Sequence, residues 1–108
     1  MTAQTTQPAS LPWLEKLIAF PTISGTSNLE LIELIEAEFS RYGYSGVRTY
    51  NEDGTRANLL VTVPAADGTT RGGLILSGHT DVVPVAGQAW DADPFTLRVE
   101  GTRAYGRG

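Results

Sequence analysis

Apolar positions near the start of the chain recur with a helical period. Leu14, Leu17 and Ile18 share one face, with Ser10 as an N-cap, Pro12 tolerated in the first turn and Pro21 as the stop. A longer stripe follows through Leu31, Ile32, Leu34, Ile35, Phe39 and Tyr42. Ser27 and Glu30 stand at capping-box spacing before it, and Gly43 supplies a C-terminal stop. Glu33, Glu36 and Glu38 fall on the solvated side of this second helix.

Beyond Gly43 the period shortens. Residues 47–50 read as a strand, and the run NEDGT at 51–55 is a turn by composition. Residues 58–63 (NLLVTV) and 73–77 (GLILS) read as strands, and their near-continuous apolar character predicts burial on both faces. Asp67-Gly68 marks the turn between them. Residues 96–100 and 103–105 predict a hairpin around Gly101-Thr102. Two helices ahead of several strands specify an α/β layered fold, with the helices preceding a mixed sheet. Residues 1–9 read as a disordered leader and 10–108 as the domain. No closing element follows the last strand, which predicts an incomplete domain.

Composition narrows the function classes. The chain has 108 residues, and 41% of them are apolar, enough for a modest core. The net charge is −4, with acidic and basic residues scattered. No basic stripe is present, which argues against nucleic acid and anionic membrane as partners. Cysteine is absent, so disulfides and thiolate zinc sites are excluded. The opening MTAQTTQPAS has neither the basic nor the apolar region of a signal peptide, and no apolar run approaches the length of a bilayer span. The expected setting is cytoplasmic.

One stretch carries candidate chemistry: Ser77-Gly78-His79-Thr80-Asp81-Val82-Val83-Pro84. His79 is the only histidine. If strand geometry continues past Ser77, His79 and Asp81 point to one side and Thr80 to the other. A metal-binding imidazole uses one nitrogen as ligand, and a carboxylate accepting its other N–H fixes the tautomer. Gly78 leaves room for a metal or substrate. The same triplet also fits a strand-end histidine with Asp81 capping the following turn. One histidine does not make a metal site, since three or four protein ligands are needed.

Further residues raise a resemblance. The run LSGHTDVVPV at 76–85, then Trp90, Asp93-Pro94-Phe95 and Tyr105-Gly106-Arg107-Gly108, resembles the aminoacylase and carboxypeptidase type of di-zinc metallopeptidase. Within it, Phe20-Pro21-Thr22-Ile23-Ser24, Ser27-Asn28-Leu29, Ala57-Asn58-Leu59 and Gly87-Gln88 are most similar to the acetylornithine deacetylase family. The resemblance implies the N-terminal part of a layered metallopeptidase catalytic domain, truncated before the aspartate that bridges both metals. It implies His79 as a metal ligand and Asp81 as the catalytic-site carboxylate that orients it. The implied cofactor is zinc, two ions per site, with cobalt able to substitute. The implied substrate is a small N-acyl amino acid, N-acetyl-L-ornithine, cleaved to ornithine and acetate in arginine biosynthesis. The implied full-length parent is a homodimer whose general-base glutamate and remaining ligands lie outside these residues. By ligand count, this chain alone is expected to be inactive. Desuccinylase, aminoacylase and metal carboxypeptidase activities of the same family remain open, as does a non-catalytic α/β binding module. Trp90 and Phe95 read as packing residues, Asp93-Pro94 as a turn, and Arg103 and Arg107 as solvated or salt-bridged.

Overall fold

A computed structural model describes residues 7–108. The leader expected at 1–9 falls largely outside the described residues. Helix α1 spans Ser10–Ile18 and helix α2 spans Leu29–Arg41. Four strands follow: β1 Gly46–Tyr50, β2 Ala57–Val61, β3 Arg98–Glu100 and β4 Arg103–Tyr105. The fold is α/β, and its strands form two separate antiparallel pairs, β1–β2 and β3–β4. The chain divides into two compact units: residues 7–21 with Val82–Gly108 among those described, and Thr22–Asp81.

The unit Thr22–Asp81 is built on α2 packed against β2. Leu31, Ile32 and Ala57 are its buried apolar residues, with Ile32 the deepest at 2% exposure. Leu31 and Ile32 lie on the expected helical stripe, which continues half-buried through Leu34, Ile35 and Phe39. The helix ends in a Schellman motif. Tyr44 N–H donates to Phe39 O at 3.1 Å and Gly43 N–H to Ser40 O at 3.0 Å, with Gly43 at φ +85°. Glu36 departs from its expected solvated role: it is half-buried and accepts from Arg48 Nε at 2.6 Å, tying α2 to β1. Glu38 departs likewise, half-buried and paired with Arg41 at 2.8 Å, whereas Glu33 is exposed as expected.

The start of α2 also departs from expectation. Asn28, not Ser27, is the N-cap, and its side chain makes no capping bond. Ser27 Oγ accepts only from Leu29 N–H, at 3.3 Å. The expected capping box between Ser27 and Glu30 is not seen among the described residues, the helix starting one residue later with Asn28 as its N-cap. At α1 the N-cap is Ala9, which places Ser10 inside the helix.

Strand β1 pairs with β2 in the register Gly46↔Val61 to Tyr50↔Ala57. The NEDGT turn closes this hairpin through its own side chains. Asn51 N–H donates to Arg56 O at 3.0 Å, Arg56 N–H to Asn51 Oδ1 at 2.9 Å, and Thr55 Oγ1 to Asp53 Oδ1 at 2.6 Å.

The strand expected at 73–77 does not form. Leu74, Ile75 and Leu76 are 83–88% exposed, against the expected burial on both faces. These residues have no ladder partner among the described residues, and an isolated strand gains nothing to offset its lost chain entropy. Gly72 and Gly73, at φ +70° and +94°, turn the chain immediately before it. The expected Asp67-Gly68 turn is present, with Ala65 N–H on Thr69 O at 3.0 Å.

In the other unit, β3 and β4 form the expected hairpin, shortened to three residues a side. Ile18 of α1 is buried, and Gly106 lies so near it that an added Cβ would come within 2.9 Å of Ile18 Cδ1. Asp93 makes its turn by accepting from Phe95 N–H at 2.9 Å and Thr96 Oγ1 at 3.0 Å. Arg107 departs from its expected solvated or salt-bridged role. Its guanidinium stacks 5.0 Å from the Trp90 ring and donates to Gln88 Oε1, which also accepts from Trp90 Nε1 at 3.1 Å.

Candidate functional site

The loop Thr22–Asn28 and the segment 79–81 meet through three hydroxyls and an amide. Thr22 is buried and donates from Oγ1 to Thr80 O at 2.5 Å. Asn28 Nδ2 donates to Thr80 Oγ1 at 2.9 Å and to Ala57 O at 2.9 Å, while its Oδ1 accepts from Ala57 N–H at 2.9 Å. Thr80 is thereby held by both backbone and side chain against the α2–β2 core.

With Thr80 turned inward, its neighbours turn outward. His79 and Asp81 lie on the same side, as the alternation argument predicts, although no strand is present there. His79 Nδ1 is 2.7 Å from Asp81 O and 3.2 Å from Asp81 Oδ1. Both partners are acceptors, so Nδ1 carries the proton and Nε2 presents its lone pair. The His79 side chain is 77% exposed and that of Asp81 59%. Asp81 Oδ2 accepts from Ser24 Oγ at 2.6 Å. The Ser24 hydroxyl is the main cause holding the Asp81 carboxyl below the usual carboxylate range, with the His79 imidazole adding to it.

These residues line an open trough of about 1150 Å³. Ile32, Ile35 and Phe39 are among its apolar lining, and His79, Asp81 and Ser24 among its polar lining. An imidazole with Nδ1–H engaged and Nε2 outward is the form that ligates a metal. The donor set therefore fits one arm of a metal centre. Among the described residues, no group of three or more His, Cys, Asp or Glu stands close enough to complete one.

Comparison with known proteins gives this geometry a context. Acetylornithine deacetylases of Salmonella arizonae, Salmonella paratyphi B and Salmonella newport are each 41% identical to the chain over 98 residues. The alignment covers 85% of the chain. The chain is similar to acetylornithine deacetylases. It spans about a quarter of their length, the aligned part being 25% of each. No family model matches. The acetylornithine deacetylase likeness is the one read from the residues at 20–24, 27–29, 57–59 and 87–88, within the wider family likeness at 76–85.

Of the two expected site residues, His79 and Asp81 are in contact. Sequence reasoning overlooked the supporting roles of Thr22, Ser24 and Asn28. Their signal is the polar run Thr22-Ile23-Ser24-Gly25-Thr26-Ser27-Asn28, too rich in hydroxyls and amides for a mere inter-helix spacer. No helix among the described residues is long and apolar enough to cross a membrane.

Proposed function

We propose that this chain is part of a zinc-dependent amide hydrolase of the acetylornithine deacetylase type. The complete enzyme removes the acetyl group from N-acetyl-L-ornithine, giving acetate and ornithine, within amino-acid biosynthesis in the cytoplasm. The observation that carries this reading is the 41% identity to proteins of that name, across a segment that contains the paired His79 and Asp81.

In this reading His79 is a metal ligand through Nε2. Asp81 acts through His79, accepting the Nδ1 proton and strengthening the ligand's basicity. Zinc, when bound, supplies Lewis acidity toward the amide carbonyl and lowers the pKa of water. Gly78, where an added Cβ would meet no atom within 4 Å, leaves the approach to His79 open. The trough beside it is lined by both apolar and polar side chains, which suits the substrate's methylene chain and its polar groups. The general base and the remaining ligands come from outside these residues, and the working enzyme is a homodimer acting on a small N-acyl amino acid, with no nucleic acid or membrane partner. The chain alone does not hydrolyse the amide, because one histidine falls short of the three or four ligands zinc requires.

The test is a chimaera in which residues 10–108 replace the matching segment of a Salmonella acetylornithine deacetylase. Acetate release from N-acetyl-L-ornithine, lost on chelation and in His79→Ala, is the expected result. A folded, zinc-loaded chimaera that cleaves N-succinyl-diaminopimelate in preference would replace the substrate assignment. Submicromolar zinc binding by the 108-residue chain that survives His79→Ala would overturn the metal-ligand assignment.

A further inference from the structure

We infer that Ser24 is a positioning residue for His79, acting through the Asp81 carboxylate to hold the imidazole as its Nδ1–H tautomer. The inference rests on the proposed role of His79 for its significance, because that tautomer leaves Nε2 as the ligand atom.

Hydrogen bonds from Thr22, Asn28 and Ser24 join the loop Thr22–Asn28 to the segment 79–81, and they do different things. Thr22 and Asn28 both grip Thr80, one at its carbonyl and one at its hydroxyl. They fix where the segment runs. Ser24 alone reaches the carboxylate, donating to Asp81 Oδ2 at 2.6 Å. The Asp81 carboxyl rotates about a terminal torsion that is broad and roughly two-fold, so backbone placement does not orient it. A hydroxyl on Oδ2 does, and it sets Oδ1 3.2 Å from His79 Nδ1.

Both acceptors facing Nδ1 belong to Asp81: its carbonyl oxygen at 2.7 Å and Oδ1 at 3.2 Å. The carboxylate is the charged one, and charge-assisted hydrogen bonds are the stronger kind. His79 and Asp81 are exposed, so water competes for Nδ1–H and for Oδ1 whenever the carboxylate turns. The Ser24 hydroxyl opposes that turning. A sequence separation of 57 residues makes this contact a product of the fold and not of local chain geometry.

His79 is the chain's only histidine, so its ring nitrogens give one set of NMR signals. The experiment is a ¹H–¹⁵N multiple-bond spectrum of the metal-free chain at about pH 8, where an ordinary imidazole is neutral. The Nδ1–H tautomer predominates in the wild type. Ser24→Ala shifts the balance at least two-fold toward Nε2–H, and Ser24→Thr, which keeps the hydroxyl, restores it. In an Asp81→Ala background the Ser24→Ala change has no further effect, because the group it acts through is gone. Backbone amide shifts of Asn28, Ala57 and Thr80 stay in place throughout. A tautomer balance unmoved by Ser24→Ala, or moved equally in the Asp81→Ala background, overturns the inference. The measurement uses no metal, so failure of His79 to bind zinc would leave its result intact.

Discussion

Asn28 and Ala57 exchange two hydrogen bonds, the Asn28 amide matching the N–H and C=O of Ala57 as a neighbouring strand would, at 2.9 Å each. Ala57 is the first residue of β2 and is 5% exposed, so neither of its backbone groups has water as an alternative. The same Asn28 amide nitrogen also holds Thr80. One side chain therefore joins the entry of α2, the start of β2 and the segment that carries His79.

Asn28→Ala should cost about 1–3 kcal/mol, the penalty for leaving buried backbone groups unsatisfied. Asn28→Asp should not recover it, because it sets a carboxylate oxygen against the Ala57 carbonyl. Urea denaturation of the two variants checks this. A loss within experimental error of the wild type would mean that the Asn28–Ala57 pair does not help hold the fold.

The end of α2 gives a second case. Gly43 sits at φ +85° in the Schellman motif, where a Cβ meets no atom but the backbone itself is strained. Gly43→Ala should lower stability by about 1–2 kcal/mol, the cost of placing an L-residue in the left-handed region. Gly78 is the contrast, since it has open space and no positive φ. Gly78→Ala should be close to neutral in stability. Thermal unfolding of both variants separates the two glycines.

Much of this was readable from residue order, and the exceptions have physical causes. The α2 stripe, its glycine stop, the NEDGT turn and the hairpin around Gly101 are local patterns, and each is present. The His79–Asp81 contact was legible because two residues on one side of an extended chain are neighbours. The capping box failed because the helix starts one residue later than its spacing requires, with Asn28 at the N-cap and its amide bonded to Ala57. Ser24 was invisible as a partner of Asp81 because nothing local links residues so distant in sequence. The apolar run at 74–76 was read as buried because its composition is that of a core strand, but a strand needs a neighbour that composition does not provide.

Acid should loosen the β1–β2 hairpin through Asp53. Hydrogen bonds from Thr55, hydroxyl first and then backbone, hold its carboxyl below the usual carboxylate range, with Asn51 adding to them. A depressed folded-state pKa contributes stability that is fully present above the unfolded value, about 3.9, and is lost as pH falls through the lower folded value. Asp53→Asn removes this dependence. The stability gap between wild type and variant should be widest above the unfolded value and close as pH falls through the lower folded value. Urea midpoints measured across that range test it, and a gap that widens toward acid would reverse the sign and reject the account.

The exposed run Leu74-Ile75-Leu76 should govern how this chain behaves at high concentration. Three consecutive apolar side chains at 83–88% exposure, in a segment with no ladder partner among the described residues, offer apolar surface to another molecule. Ile75→Lys places a charge at the centre of the run, and light scattering should then rise only at higher protein concentration. Stability should change by no more than about 0.5 kcal/mol, since Ile75 is 88% exposed and nothing packs on it. Ile32→Ala is the complementary variant. At 2% exposure in the α2–β2 core, its truncation should cost about 2–5 kcal/mol while leaving the apolar run as it was. If Ile75→Lys destabilised the chain as strongly as Ile32→Ala, residues 74–76 would have to be buried in solution, paired as the core strand that their composition predicts.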